Sequence, residues 1–132
     1  MILLDRIGGR NAIKSSIQLS TLPKEAMELK ELLEFIDLEN KRLIEKFGSS
    51  STQKEIILSR TVKLTEELGE LCNEVLSFCG DQRKEKLENH YSNNLPNEFA
   101  DVIITTLLLA RSMNIEIKEA LINKIERIND RY

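Results

Sequence analysis

The chain has 132 residues, of which 41% are apolar and 31% charged, and this balance indicates a globular protein with a single core. The net charge of -3, without a basic run, argues against a nucleic-acid partner, because that binding depends largely on clustered Lys and Arg. No apolar run reaches the ~20 residues that cross a bilayer, and the opening MILLDR is too short for a signal-peptide core. We therefore expect a cytoplasmic protein without a membrane partner.

The two cysteines lie seven residues apart, at Cys72 and Cys79, in what reads as one helix. That spacing separates them by roughly 10 Å along the helix axis, which is too far for a disulfide. We expect two reduced core cysteines. With these and one histidine, the usual nitrogen and sulfur zinc sites are disfavoured.

Residues 1–20 have no clear period and contain Gly8-Gly9, so we interpret them as an N-terminal arm. A single helical domain is predicted over residues 21–132. Its first helix should begin near Pro23, a residue suited to a first helical position, and end at Gly48. One face of that helix is predicted by apolar residues at spacings of three and four: Leu29, Leu32, Leu33, Ile36, Leu43, Ile44 and Phe47.

A capping-box pattern, Thr52 with Glu55 three residues later, predicts the start of a second helix that runs to about Cys79. Gly80 is a suitable stop signal. Residues 80–95 are polar and predict a connecting loop.

Pro96 predicts the start of a third helix that ends near Asn114, and a fourth follows from about Glu116 to the C-terminus. No segment alternates apolar and polar residues as a strand does. Four amphipathic helices with short links predict an all-α four-helix bundle. Because the third helix is apolar on nearly all sides, it should be central or lie in an oligomer interface.

Two pairs of carboxylates stand out among apolar residues. Glu67 and Glu70 are three apart on the second helix, and Glu98 and Asp101 have the same spacing at the start of the third, so each pair shares a face. Asp101 is the only ionisable residue from Phe99 to Ala110, and burying an unpaired carboxylate costs several kcal/mol. We therefore expect Asp101 to be buried for a functional reason.

Four carboxylates from two helices repel each other unless cations lie between them. Hard divalent ions with oxygen ligands solve this problem, and Mg²⁺ fits, with Mn²⁺ as a substitute. Magnesium commonly keeps open positions for substrate phosphates, which predicts phosphate chemistry. A di-iron bundle is excluded because it needs Glu-x-x-His pairs, and no glutamate precedes His90 by three residues.

The alternative interpretation is that these glutamates only solvate exposed helices, as pairs at this spacing often do. Two pairs together at the apolar seam of a bundle favour a site. The fourth helix adds a cationic stripe of Lys124, Arg127 and Arg131, which could meet phosphate oxygens. Basic residues near a helix C-terminus also stabilise the helix dipole, so this stripe is open to both interpretations.

Two segments of the sequence resemble the MazG-like all-α nucleotide pyrophosphohydrolases: KLTEELGEL and EFADVIITTLLLARSMNIEIKEALINKIERINDRY. The resemblance covers roughly residues 55 to 132. It implies cleavage between the α and β phosphates of a nucleoside triphosphate, which gives a monophosphate and pyrophosphate, in the cleaning or control of nucleotide pools. It also implies a homodimer or homotetramer.

The same resemblance implies that magnesium ions are bound by Glu67, Glu70, Glu98 and Asp101, with a water at these carboxylates as the nucleophile. Glu66 and Glu74 are candidates for an outer shell. Family members have a tail of Lys, Asn and Arg or Lys for phosphates and base. Lys124, Arg127 and Arg131 supply the cations, but Ile128 stands where the asparagine is expected and Asn129 follows it.

Three other interpretations stay open. Phosphoribosyl-ATP pyrophosphohydrolase and the all-α dUTPases use a similar carboxylate arrangement, although the basic tail and EELGEL fit the MazG-like enzymes better. The third is a non-enzymatic helical oligomerisation or adaptor module, for which removal of these carboxylates should be neutral or stabilising.

Overall fold

The computed structural model describes residues 27–80 and 94–132. The predicted arm over residues 1–20, the predicted helix start at Pro23 and most of the predicted loop over residues 80–95 lie outside these ranges. The chain divides into two compact units, Met1–Phe35 and Ile36–Tyr132. Each unit is therefore described by itself, and the single domain over residues 21–132 stays a prediction.

The described residues form helices and contain no strand, which confirms the all-α class. Residues 27–80 and 94–132 contain four α-helices: α1 is Leu29–Leu43, α2 is Gln53–Phe78, α3 is Leu95–Ser112 and α4 is Ile117–Asn129. A π-helical turn, Ile44–Gly48, follows α1 directly. Within these ranges, no helix combines the length and the apolar character that crossing a membrane requires.

In the first unit, the described residues contain the beginning of α1. The backbone amide of Glu28 donates to Glu31 Oε2 at 2.8 Å, which satisfies one of the amides that a helix start leaves unpaired. Lys30 and Glu34 form an exposed ion pair one turn further along. Local capping and charge pairing thus account for this short segment.

In the second unit, the predicted capping box of α2 is confirmed. The Thr52 side chain accepts from the Glu55 amide, and Glu55 Oε2 accepts from the Thr52 amide at 2.7 Å. These bonds lower the pKa of Glu55. The helix ends before Gly80, which has a φ of +75° and is the predicted stop.

The third helix ends in a motif that explains its short link to α4. Asn114 has a φ of +55°, a conformation that asparagine tolerates better than most residues. The Ile115 amide donates to the Ala110 carbonyl and the Asn114 amide to the Arg111 carbonyl, as in a Schellman motif. The predicted end near Asn114 is therefore confirmed, and α4 can begin at Ile117.

Helices α2 and α3 form the principal helix pair of the second unit. Leu71 of α2 and Leu107 and Leu108 of α3 are buried, as is Ile36 of α1. Gln53 donates a side-chain hydrogen bond to the Ser112 carbonyl, near the far end of α3. Burial of apolar side chains between α2 and α3 holds the two helices together, and the hydrogen bond from Gln53 adds a polar contact at one end.

Many large apolar side chains stay exposed, and one expectation about burial was wrong. Cys72 and Cys79 are free thiols, as predicted, but both are exposed rather than in the core. The third helix is only partly enclosed in this single chain, since Phe99 and Ile103 are 50% and 52% exposed, and its alternative place in an oligomer interface stays a prediction. Within the described ranges, the buried apolar side chains lie on α2 and α3, apart from Ile36 of α1, and other faces of these helices stay uncovered.

Replacing the cap residue, Thr52→Ala, should lower the free energy of unfolding by about 1 kcal/mol, because the Glu55 amide loses its acceptor and Glu55 Oε2 loses the hydroxyl donor. Urea titration at fixed protein concentration measures this change. Thr61→Ala is the matched control, since Thr61 donates only to the Ile57 carbonyl within the same helix. Equal loss in both variants would contradict the capping role.

Candidate metal centre

The packing of α2 on α3 brings three of the predicted carboxylates together. Glu67, Glu98 and Asp101 each offer an oxygen, and these atoms all lie within 4.8 Å of one another. Glu98 and Asp101 are three apart on α3, so both can face the same point on α2. The predicted convergence of carboxylates from two helices is therefore present in this triad.

Glu98 is the most constrained member of the triad. It is 6% exposed, its Oε1 accepts a hydrogen bond from the Asn94 side chain, and its Oε2 is buried without a hydrogen-bond partner. Burial raises its pKa above the ordinary 4.5, and the charges of four neighbouring carboxylates raise it further: Glu70, Asp101, Glu74 and Glu67. A buried carboxylate oxygen without a donor is an uncompensated acceptor, and a cation would satisfy it.

The expectation that Asp101 is the buried member was wrong. Asp101 is exposed, whereas Glu67 and Glu98 are buried. The apolar run that follows Asp101 does not enclose it, because part of this run, including Ile103, turns to solvent. The uncompensated burial expected at Asp101 occurs three residues earlier, at Glu98.

Glu67 already has a cation beside it. Lys63 Nζ lies 2.7 Å from Glu67 Oε1 and 3.3 Å from Glu66 Oε1. Hydrogen bonds to Glu67 and then Glu66 raise the pKa of Lys63, so it is held as an ammonium. We did not identify Lys63 from the sequence, although its position four residues before Glu67 is the signal for such a pair.

A cavity of about 340 Å³ is lined by one member of the triad, Glu98. Glu70, the fourth predicted ligand, is exposed and lines this cavity. The predicted outer-shell residues Glu66 and Glu74 line it as well, and Glu74 is buried. Asn73, three residues after Glu70, also lines the cavity and was missed because an amide carries no charge pattern. The cavity wall is therefore rich in oxygen ligands.

The predicted phosphate-binding residues lie elsewhere in this single chain. Lys124, Arg127 and Asn129 belong to α4 and Arg131 follows it; all four are exposed, and none lines the carboxylate cavity. Asn129 is five residues after Lys124, so helical geometry puts them about 140° apart around the axis. Their role in substrate binding stays a prediction.

The donors of this centre fit a hard divalent cation. The triad offers only carboxylate oxygens, which Mg²⁺ and Mn²⁺ prefer, and the unpartnered Glu98 Oε2 is a buried acceptor beside two further carboxylates. A cation there would also offset the mutual repulsion of the carboxylates. All the ligand atoms that fit such a cation belong to residues of this chain.

Part of the chain is similar to a protein of Bacillus subtilis. The uncharacterized protein YpjD of Bacillus subtilis (strain 168) is 35% identical over 74 residues. The match covers 56% of this chain and 65% of YpjD, so the chain spans slightly less than two thirds of that relative. No family model matches the chain, and no solved structure matches it.

The metal-free protein should become less stable as pH rises from about 4.5 through the raised pKa of Glu98. A raised pKa in the folded state means that folding favours the protonated acid, so this stabilisation is complete at low pH and lost as the carboxylate ionises. Urea midpoints measured in chelator across this range test the direction. Glu98→Gln should flatten the dependence and, unlike wild type, gain no stability from added Mg²⁺.

The matched control is Glu119→Gln, which removes a charge from an exposed position on α4. It should keep both the pH dependence and the stabilisation by Mg²⁺. A pH dependence in Glu98→Gln identical to that of wild type would show that another group is responsible.

Proposed function

We propose that this chain is a Mg²⁺-dependent nucleoside triphosphate pyrophosphohydrolase of the MazG-like kind, which converts nucleoside triphosphates to monophosphates and pyrophosphate. The proposal rests above all on Glu98: a carboxylate that is 6% exposed, with an unpartnered Oε2, inside a triad with Glu67 and Asp101. An adaptor module would have no evident reason to maintain this costly arrangement. The resemblance of the surrounding sequence to that family agrees with it.

Glu67, Glu98 and Asp101 would hold the magnesium, with Glu70 as a further ligand from the cavity wall. When bound, the ion supplies charge neutralisation at the phosphoryl oxygens and activation of water. In the reaction, a water oxygen forms a bond to the α-phosphorus, and the bond from that phosphorus to the α–β bridging oxygen breaks. Pyrophosphate leaves with the bridging oxygen, and the proton of the water passes to a carboxylate or to solvent.

Lys63 has a defined part in this site. Its ammonium contacts Glu67 and Glu66 and is 52% exposed, so it can reorient at little cost. If Glu67 held a divalent ion, Lys63 would lose this carboxylate partner. Its ammonium would then be a donor at the edge of the site, suited to a phosphate oxygen.

We also propose that the active form is a homodimer or homotetramer. Most of α4 is exposed, and its apolar face comprises Leu121, Ile122, Ile125 and Ile128, which are 40% to 55% exposed. An isolated helix of this length is marginal in water, and exposed apolar faces of this kind favour association. In such an oligomer, contact through the apolar face of α4 would also determine which surface of the neighbouring subunit lies near Lys124, Arg127 and Arg131.

Hydrolysis of ribo- and deoxyribonucleoside triphosphates with Mg²⁺, followed by separation of the products, tests the reaction. We expect monophosphate and pyrophosphate, with turnover abolished by chelator. Asp101→Asn should lower kcat/KM by about 100-fold or more, since even outer-shell partners of metal sites cost 10–100-fold. Glu119→Gln, an exposed acid on α4, should leave kcat/KM unchanged.

Other products separate the alternatives. Diphosphate and phosphate would mean that a different bond is cut. Turnover of phosphoribosyl-ATP or dUTP alone would assign one of the related activities. Full activity in Asp101→Asn would contradict the metal centre, and no turnover of any of these substrates would favour the adaptor interpretation.

Introducing a charge into the exposed apolar face, as Ile125→Glu, should shift the protein to a smaller species at micromolar concentration, because a buried carboxylate disfavours an apolar contact. Light scattering coupled to gel filtration measures the mass. Asn123→Glu adds the same charge on the polar side of α4 and should keep the mass of wild type. Equal masses for wild type and Ile125→Glu would exclude this face from the interface.

A further inference from the structure

A second cavity, of about 280 Å³, lies beside the end of α1, the π-helical turn and the first half of α2. Its apolar wall includes Ile44, Phe47 and Ile56, and its polar wall includes Ser59, Arg60 and Lys63. Phe47 is 70% exposed, and Lys46 Nζ lies over its ring, 5.0 Å from the centroid. An apolar cavity with a few polar groups is typical of a small-molecule site.

Arg60 is the unusual member of this wall. It is 9% exposed, and burial lowers its pKa. Arg60 Nη1 donates to the Leu108 carbonyl at 2.9 Å, and no carboxylate within the described ranges forms an ion pair with its guanidinium. With one bond to a carbonyl and no ion pair, this guanidinium keeps N–H donors for a further acceptor.

The single hydrogen bond to the Leu108 carbonyl leaves most N–H donors of the guanidinium without a protein acceptor among the described residues. Five N–H groups are arranged in a rigid fork, and the edge formed by Nε and Nη2 has no hydrogen-bond partner among the described residues. Two parallel donors on one edge match two adjacent acceptors on a planar ligand. The bond to Leu108 also anchors the fork against α3, which reduces the freedom that ligand binding would remove.

The cavity is adjacent to the carboxylate site. Lys63 lines the cavity and lies 2.7 Å from Glu67. Arg60 and Glu67 are seven residues apart on α2, which puts them on nearly the same face and roughly 10 Å apart along the axis. A ligand that spans both sites needs phosphates at one end and a planar, partly apolar group at the other, as a nucleotide has.

We propose that Arg60 is a specificity-determining residue that selects nucleotides whose base presents two adjacent acceptors: guanine through O6 and N7, or cytosine through O2 and N3. This inference rests on the proposed function for the identity of the ligand. Arginine binds the O6 and N7 pair of guanine in the same bidentate way in DNA. Adenine places an amino donor in the equivalent position, and uracil and thymine place an N–H between their two carbonyls. A base without the acceptor pair would leave Nε and Nη2 without acceptors in the complex, which disfavours it.

The test compares kcat/KM for GTP with ATP and for CTP with UTP. We expect a preference of about tenfold or more for the acceptor-pair base in at least one comparison, as one bidentate contact supplies. Arg60→Lys keeps a positive charge and a donor for the Leu108 carbonyl but removes the fork, so the preference should fall close to one. Arg111→Lys is the matched control, because Arg111 is ion-paired with Asp37 and lines neither cavity. It should keep the preference.

A second measurement leaves the protein unaltered. Analogues that replace one acceptor nitrogen by C–H, 7-deaza-GTP and 3-deaza-CTP, should lose about tenfold in kcat/KM relative to the preferred parent nucleotide. The change from ATP to 7-deaza-ATP should have no effect. This comparison holds even if Arg60→Lys fails to fold, which thermal unfolding detects.

Each outcome has a defined meaning. A uniform loss for all four bases in Arg60→Lys would assign Arg60 to phosphate or to the fold and overturn the proposal, as would wild-type hydrolysis without preference in either comparison. Binding of the four nucleoside monophosphates in chelator distinguishes the two proposals. An Arg60-dependent preference among monophosphates without triphosphate hydrolysis would overturn the proposed function alone, and absence of both would overturn both.

Discussion

The packing of α2 against α3 buries the Glu98 carboxylate at the point where other carboxylates converge, and the properties of the site follow from this constraint. The Asn94 side chain supplies a donor to one oxygen, while the second oxygen has none. Hydrophobic burial of Leu71, Leu107 and Leu108 holds the two helices close enough for the repulsion to persist. A divalent cation at this point would convert the repulsion into attraction, so the same atoms that weaken the metal-free fold would strengthen the loaded one.

Lys63 and Arg60 are two cations on α2 that differ in exposure and in their hydrogen-bond partners. Lys63 is half exposed and contacts Glu67, so its charge is compensated and accessible to solvent. Arg60 is buried, anchored to the Leu108 carbonyl and without a carboxylate partner within the described ranges. The first is suited to exchange with a metal ion, since a surface ammonium is easily displaced. The second is suited to recognition, because a fixed guanidinium fork has little freedom left to lose on binding.

The parts of the fold that depend on local chemistry could be predicted from the sequence. The start of α2 follows from Thr52 and Glu55, its end from Gly80, and the end of α3 from a backbone turn that Asn114 tolerates. The triad could also be predicted, because spacing of three on two helices limits which side chains share a face. The predicted fourth ligand, Glu70, lines the adjacent cavity but is exposed.

Burial could not be predicted in the same way, because it depends on how one helix is rotated against another. A run such as Phe99 to Ala110 is apolar on nearly all sides and does not specify which side meets α2. Asp101 was therefore expected inside and lies outside, and Cys72 and Cys79 were expected in the core and are exposed. Arg60 escaped notice for the same reason: only the rotation of α2 against α3 turns an ordinary helical arginine into a buried one. Arg60 thus lies about two helical turns before Glu67 on α2, and Glu67 belongs to the triad that contains the unpartnered Glu98 Oε2. A ligand with acceptors at one end and a metal-bound phosphate at the other would contact both sites.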